Sequence, residues 1–168
     1  KRPIILIGGG ATGDGVDLKL NEFLAKTNIP VITSLMGRGI IDETYPHYVG
    51  MVGSYGNRCA NMAVAKADLL ITLGSRMDTR QTGAMYQEFL KGGKIIHVDL
   101  DENELDYHRL ENRLKVHASV ADFLNALDKE TIACQDYSFW NTWIAKLKDN
   151  YSQDREVERF VDNKAPYQ

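Results

Sequence analysis

The chain has 168 residues, enough for one domain with its own core plus a tail. Its 43% apolar and 26% charged residues carry a net charge of -3 with the signs interspersed, so there is no basic stripe to attract a nucleic acid, and no apolar run approaches the ~20 residues of a membrane span. Cys59 and Cys134 stand alone without metal-ligand spacing, which suits a reducing compartment and makes the cytoplasm the expected location.

The chain starts at Lys1 without an initiator Met and enters an apolar strand at once. It therefore reads as excised from a longer protein, in which anything ahead of that strand lies upstream of the cut. Pro3-Ile4-Ile5-Leu6-Ile7 is a continuous apolar run ending in Gly8-Gly9-Gly10, the pattern of a strand buried on both faces. Val16, Leu18, Leu20, Phe23 and Leu24 then recur at helical spacing until Asn28 and Pro30 end the helix. Residues 30–35 form a second strand, and a Gly-rich connection holds a short third one at residues 48–52. Residues 60–66 predict a helix, 68–74 the clearest strand, 84–90 a helix, and 94–99 and 113–117 two further strands. Helical pieces at 102–107 and 120–127 complete the alternation.

This rhythm predicts an α/β, doubly wound fold: a mainly parallel, six-stranded Rossmann-like sheet with helices on both faces. Such folds bind ligands outside the carboxyl ends of the strands, where the strand order reverses. Those ends are Gly8 to Gly10, Thr33 to Gly37, Gly74 to Arg80, Asp99, and Ala118 with Ser119. The alternation is lost after residue 130, so the chain divides into 1–130 and a connector, 131–168. Within the connector, Phe139, Trp140, Trp143, Ile144 and Leu147 mark an amphipathic helix. Its apolar face lies either on a neighbouring domain or on this domain's own core. Residues 149–163 are strongly polar, and Lys164-Ala165-Pro166-Tyr167 breaks any helix.

Gly8-Gly9-Gly10-Ala11-Thr12-Gly13 satisfies G-x-G-x-x-G between a strand and a helix. Its functional use is close approach of a phosphate to backbone N–H groups near a helix N-terminus; its plain use is a tight turn. A dinucleotide fingerprint also needs a carboxylate about 20 residues on, at the end of the second strand. Thr33-Ser34-Leu35-Met36-Gly37 supplies none, which disfavours a nicotinamide dehydrogenase. The carboxylate comes later, as Asp99, where it either holds a ribose from the other half of the sheet or caps a helix, as Asp101 can. Gly13-Asp14-Gly15 imitates the start of a thiamine diphosphate and magnesium motif, but residues 39–44 lack the Asn pair that should follow, so Asp14 is read as a turn or cap residue.

The most specific stretch is residues 57–83, in which Ala60-Asn61 and Ala67-Asp68 precede a strand that leads into Gly74-Ser75-Arg76-Met77-Asp78-Thr79-Arg80-Gln81-Thr82-Gly83. It resembles the acetolactate synthase family of thiamine diphosphate-dependent enzymes, whose middle domain carries Gly-x-Arg-Phe-Asp-Asp-Arg-x-Thr-Gly. Met77 replaces the Phe and Thr79 the second Asp. Ser34-Leu35-Met36-Gly37-Arg38-Gly39, Val49-Gly50-Met51-Val52-Gly53 and His97-Val98-Asp99-Leu100-Asp101 follow the family order, so the resemblance covers residues 1–128.

The resemblance implies a middle domain between an N-terminal domain with the catalytic Glu and a C-terminal domain with the thiamine diphosphate and Mg site, both missing here. The parent would be a homodimer or homotetramer that condenses or decarboxylates 2-keto acids, and the fragment would be inactive. Several members hold FAD across this domain, and others use ADP there or nothing. By motif matching, the FAD contacts fall on Gly9, Gly10, Thr33, Leu35, Met51, Gly74, Ser75, Arg76, Arg80, Asp99, Ala118 and Ser119. This places the pyrophosphate near Gly9, Gly10 and the 74–76 turn, and the ribose near Asp99. Arg76 and Arg80 suit an anion or a flavin ring; otherwise they pair with Asp78 or Asp68. Thr79 and the Ala118-Ser119 pair, where members often have Gly-Asp, depart from the FAD pattern. A stand-alone nucleotide- or flavin-binding module and a purely structural dimerisation domain are the alternatives.

Overall fold

The computed structural model describes residues 1–13, 15–130 and 135–152. Asp14, Cys134, the boundary at residue 131 and the polar end from residue 153 onward lie outside the described residues.

Six strands are β1 (Pro3–Ile7), β2 (Val31–Thr33), β3 (Tyr48–Met51), β4 (Leu69–Leu73), β5 (Lys94–Asp99) and β6 (Arg113–His117). They form one sheet in the order β3-β2-β1-β4-β5-β6, and every neighbouring pair is parallel. The order reverses between β1 and β4, which run side by side with Ile4 opposite Leu70 and Ile7 opposite Leu73.

Strand periodicity then divides the apolar residues between two layers. Ile4, Leu6, Ile32 and Leu70 face one side with Ala60, Ala63 and Val64 of α2 (Arg58–Lys66). Ile5, Ile7, Val31, Ile71 and Leu73 face the other with Leu20 and Leu24 of α1 (Val16–Thr27) and Val120 and Leu124 of α5 (Val120–Asp128). All five residues of β1 are buried, as a strand covered by helices on both faces must be. α1 ends at Asn28, which takes the left-handed conformation (φ 53°) and donates its N–H to the Leu24 carbonyl.

The helix α6 (Ser138–Asn150) settles where its own apolar face goes. Trp140 is 2% exposed, and its indole N–H donates to the Pro3 carbonyl at 2.8 Å. Ile144 and Leu147 are buried with it in the α2 layer. Trp140, Ile144 and Leu147 cap this domain's own core while Phe139 stays exposed, and burying such side chains contributes on the order of 1.5–3 kcal/mol each.

Two local expectations need correcting. Residues 84–90 do not form a helix: α3 occupies Thr79–Thr82, capped by Asp78, and only a 3-10 turn (Tyr86–Glu88) follows. Gly83 at φ 78° stops α3 before the apolar residues are reached. The second strand ends at Thr33, because the Ser34 side chain accepts from the Gly37 N–H and starts a 3-10 turn at Leu35–Gly37. Between the last two strands, α4 (Glu102–Asp106) is capped by Asp101.

Candidate functional site

The carboxyl ends of β1 and β4 are pressed together backbone to backbone. Gly8 N–H donates to the Leu73 carbonyl and Gly10 N–H to the Gly74 carbonyl, each at 2.9 Å. A Cβ on Gly8 would lie 2.2 Å from the Gly74 oxygen, and one on Gly74 would lie 2.5 Å from the Gly10 carbonyl carbon. These two glycines are thus required by turn-against-turn packing. The helix N-terminus expected beside the phosphate is not part of the arrangement, because a 3-10 turn (Gly9–Ala11) intervenes before α1.

Above this contact lies a cleft of about 430 Å³, within the range of small-molecule sites. Gly9, Gly10, Leu35, Met51, Gly74, Ser75, Arg76 and Arg80, all expected from the sequence, line it. Leu35 and Met36 are 55% and 76% exposed, and Tyr55 is 76% exposed, so its mouth offers flat apolar surface. Arg76 and Arg80 are exposed. Arg76 meets Glu104 at 3.2 Å, rather than Asp78 or Asp68. Asp78 uses Oδ1 to accept the N–H groups of Arg80 and Gln81. Ser75 is 3% exposed and donates its hydroxyl to the Gln81 amide oxygen at 2.8 Å.

The floor of the cleft is held from behind. His97 of β5 is fully buried; its Nε2 lies 3.0 Å from the Ser75 carbonyl and its Nδ1 2.6 Å from an Arg113 guanidinium nitrogen. A guanidinium has only donors, so Nδ1 must be the acceptor and Nε2 carries the proton, which it donates to Ser75. Burial, with Arg113 adding to it, pushes the His97 pKa down to about 4, so the ring is neutral at pH 7. Asp99, 3.9 Å away, therefore faces an uncharged imidazole.

The remaining expected residues stand outside the cleft lining. Thr33 is buried and shares a 3.1 Å hydrogen bond with the Tyr48 hydroxyl. Asp99 accepts from the Asp101 N–H at 3.0 Å. Ala118 N–H donates to the Asp99 carbonyl, and the Ser119 side chain caps α5 by accepting from Asp122 N–H. The sequence reading missed Val52, Ser54, Tyr55 and Gln81 as lining residues, and held Ser34, Met36 and Asp78 only as parts of the strand ends 33–37 and 74–80, not as ligand contacts. Asp78 and Gln81 sit inside the recognisable 74–83 segment and were within reach; Ser54 and Tyr55 sit in an aperiodic loop that carries no such signal.

The arrangement suits an anion beside two arginines and a planar group against the apolar mouth. Among the described residues no three His, Cys, Asp or Glu side chains gather as a metal site, and no helix is long and apolar enough to cross a membrane.

Comparison with known proteins places this geometry in context. Residues 1–127 match the family model for the thiamine pyrophosphate enzyme central domain. The chain is 34% identical over 152 residues to acetolactate synthase isozyme 2 large subunit of Escherichia coli K12, covering 90% of this chain and 27% of that protein. It is 38% identical over 164 residues to the probable acetolactate synthase large subunit of Methanococcus aeolicus, covering 97% and 25%. It is 43% identical over 110 residues to the acetolactate synthase large subunit of Cyanidium caldarium, covering 66% and 19%. The chain thus spans about a quarter or less of the length of these relatives. With the six-stranded parallel sheet, the match along residues 1–127 makes the chain a member of the thiamine pyrophosphate enzyme central-domain family.

Proposed function

We propose that this chain is the nucleotide-holding middle domain, residues 1–130 with the connector beyond, of a thiamine diphosphate-dependent enzyme of the acetolactate synthase type, one that condenses or decarboxylates 2-keto acids. Thiamine diphosphate supplies the carbanion chemistry in such an enzyme. Among the described residues no three His, Cys, Asp or Glu side chains gather for its magnesium, and the thiamine diphosphate and magnesium site is assigned to other domains of the parent. The parent is a cytoplasmic homodimer or homotetramer, and the fragment alone turns over no substrate.

The cleft's ligand is FAD or ADP. The observation that carries this reading is the meeting of the Gly9-Gly10 and Gly74-Ser75 turns under Arg76 and Arg80, at the point where the strand order reverses. The residues present fit the group: backbone turns without side chains on one side, two cations for a pyrophosphate, and Leu35, Met36 and Tyr55 for a ring. Asp99, Ala118 and Ser119, at the ends of the next two strands, then meet the ribose and adenosine end of a ligand that extends past the cleft. Titrating FAD and ADP into the chain, followed by flavin fluorescence and calorimetry, tests this reading. Saturable binding that weakens in Arg76→Ala supports it; failure of both nucleotides to bind contradicts it and favours a structural dimerisation role.

A further inference from the structure

Three consecutive carbonyls of the turn after β4 accept hydrogen bonds from two imidazoles. The Ser75 carbonyl takes the His97 Nε2–H at 3.0 Å. The Arg76 and Met77 carbonyls share His108 Nε2 at 2.8 and 3.2 Å. His108 Nδ1 accepts the Leu110 N–H at 3.0 Å, which again fixes the proton on Nε2. The two rings meet edge to face, 5.7 Å between centroids.

The turn needs such support. Gly74 (φ 60°) and Met77 (φ 47°) are both left-handed, and Met77 is fully buried. A left-handed conformation in a non-glycine residue costs roughly 1–2 kcal/mol. Arg113, on the edge strand β6, is the hub behind it, since its guanidinium donates to His97 Nδ1, to the Leu105 carbonyl at 2.8 Å and to the Leu110 carbonyl. Among the described residues the hydrogen-bond partners of this partly buried cation are neutral acceptors, a poor way to stabilise a core. What it achieves is orientation: it holds the one tautomer of His97 whose N–H faces Ser75.

We propose that His97, His108 and Arg113 are positioning residues that lock the 74–78 turn in the shape that presents Ser75 and Arg76 to the ligand of the cleft. This rests on the nucleotide-site reading above. The support reaches the site from β5, β6 and the loop between α4 and β6, so the half of the sheet that leaves the cleft lining still governs it.

The test uses the 168-residue chain with His97→Leu, His97→Gln, His108→Leu and Arg113→Met. Amide hydrogen exchange needs no ligand: residues 75–78 should exchange faster in His97→Leu and His108→Leu while β1 keeps its protection. ADP and FAD dissociation constants, measured on the folded fraction, should rise about tenfold, the worth of one hydrogen bond to a positioned group. His97→Gln, whose amide retains a donor and an acceptor, should recover part of that loss, which a role in bulk packing would not produce. Nitrogen-15 imidazole spectra of the unaltered chain should show both rings as Nε2–H tautomers, a readout that survives any failure of a variant to fold. Unchanged exchange at 75–78 in both Leu variants, or an Nδ1–H tautomer at His97, would overturn the support. Absence of nucleotide binding by the unaltered chain would overturn the nucleotide reading instead.

Discussion

Among the hollows of the described residues, two of nearly equal size make a contrast: the cleft over β1 and β4, about 430 Å³, and a groove between α1 and α5, about 470 Å³. They are built differently. The groove is lined by side chains on two helix surfaces, Lys19, Glu22, Phe23, Lys26, Leu124 and Asp128 among them, and Lys26 and Asp128 already pair across it. The cleft is floored by backbone turns that touch each other, and a buried imidazole holds the floor from beneath. Capacity is therefore a poor guide to function here. The cleft differs because its floor is built from two backbone turns bonded to each other at the carboxyl ends of β1 and β4.

That contrast breaks first if the turn contact is less rigid than described. Gly8→Ala drives a Cβ to 2.2 Å from the Gly74 oxygen and 2.5 Å from Ser75 Cα and Cβ, none of them the far end of a flexible side chain. Urea unfolding should show a loss of about 3 kcal/mol or more, the upper range for overpacking. A small loss would mean that the two turns separate easily. A second effect concerns acid. His97 has a folded-state pKa of about 4 against an ordinary 6.5, so between these values the unfolded chain binds a proton that the folded chain refuses. Its contribution is fully present above pH 6.5 and is lost as pH falls towards 4. Burial also lowers the His108 pKa, with the same sign. The urea midpoint should fall from pH 7 to pH 5, less steeply in His97→Gln; an identical slope in that variant would remove the buried neutral imidazole from the account.

Smaller effects separate the two hollows directly. Arg76→Ala should weaken ADP binding about tenfold, as loss of a charge-assisted contact would, measured by calorimetry. Lys26→Ala, in the groove, should leave ADP affinity unchanged and the melting temperature nearly so, because exposed ion pairs contribute little. A Lys26→Ala effect as large as that of Arg76→Ala would move the site to the groove.

Much of this was legible in the sequence because buried parallel strands announce themselves. The runs at residues 3–7 and 69–73 are apolar except for Thr72, and each is followed by a glycine. The glycines also located the floor of the cleft, although the reason for Gly8 and Gly74 is each other's backbone. The helix expected at residues 84–90 was misread because Tyr86, Phe89 and Leu90 have helical spacing, while the real start signal, Asp78, lies earlier and Gly83 cuts the helix short. For α6 the pattern showed an apolar face without its partner; the Trp140 bond to Pro3 spans 137 positions and has no local trace. The same holds for His97, whose partners Ser75 and Arg113 come from β-sheet neighbours that no short motif records.

The most direct test of the central claim is amide hydrogen exchange of the chain with and without saturating ADP. Protection confined to residues 8–10 and 74–80, with residues 19–27 and 124–130 unchanged, is the result predicted here. Protection across the α1–α5 groove with none at the two glycine turns would contradict it.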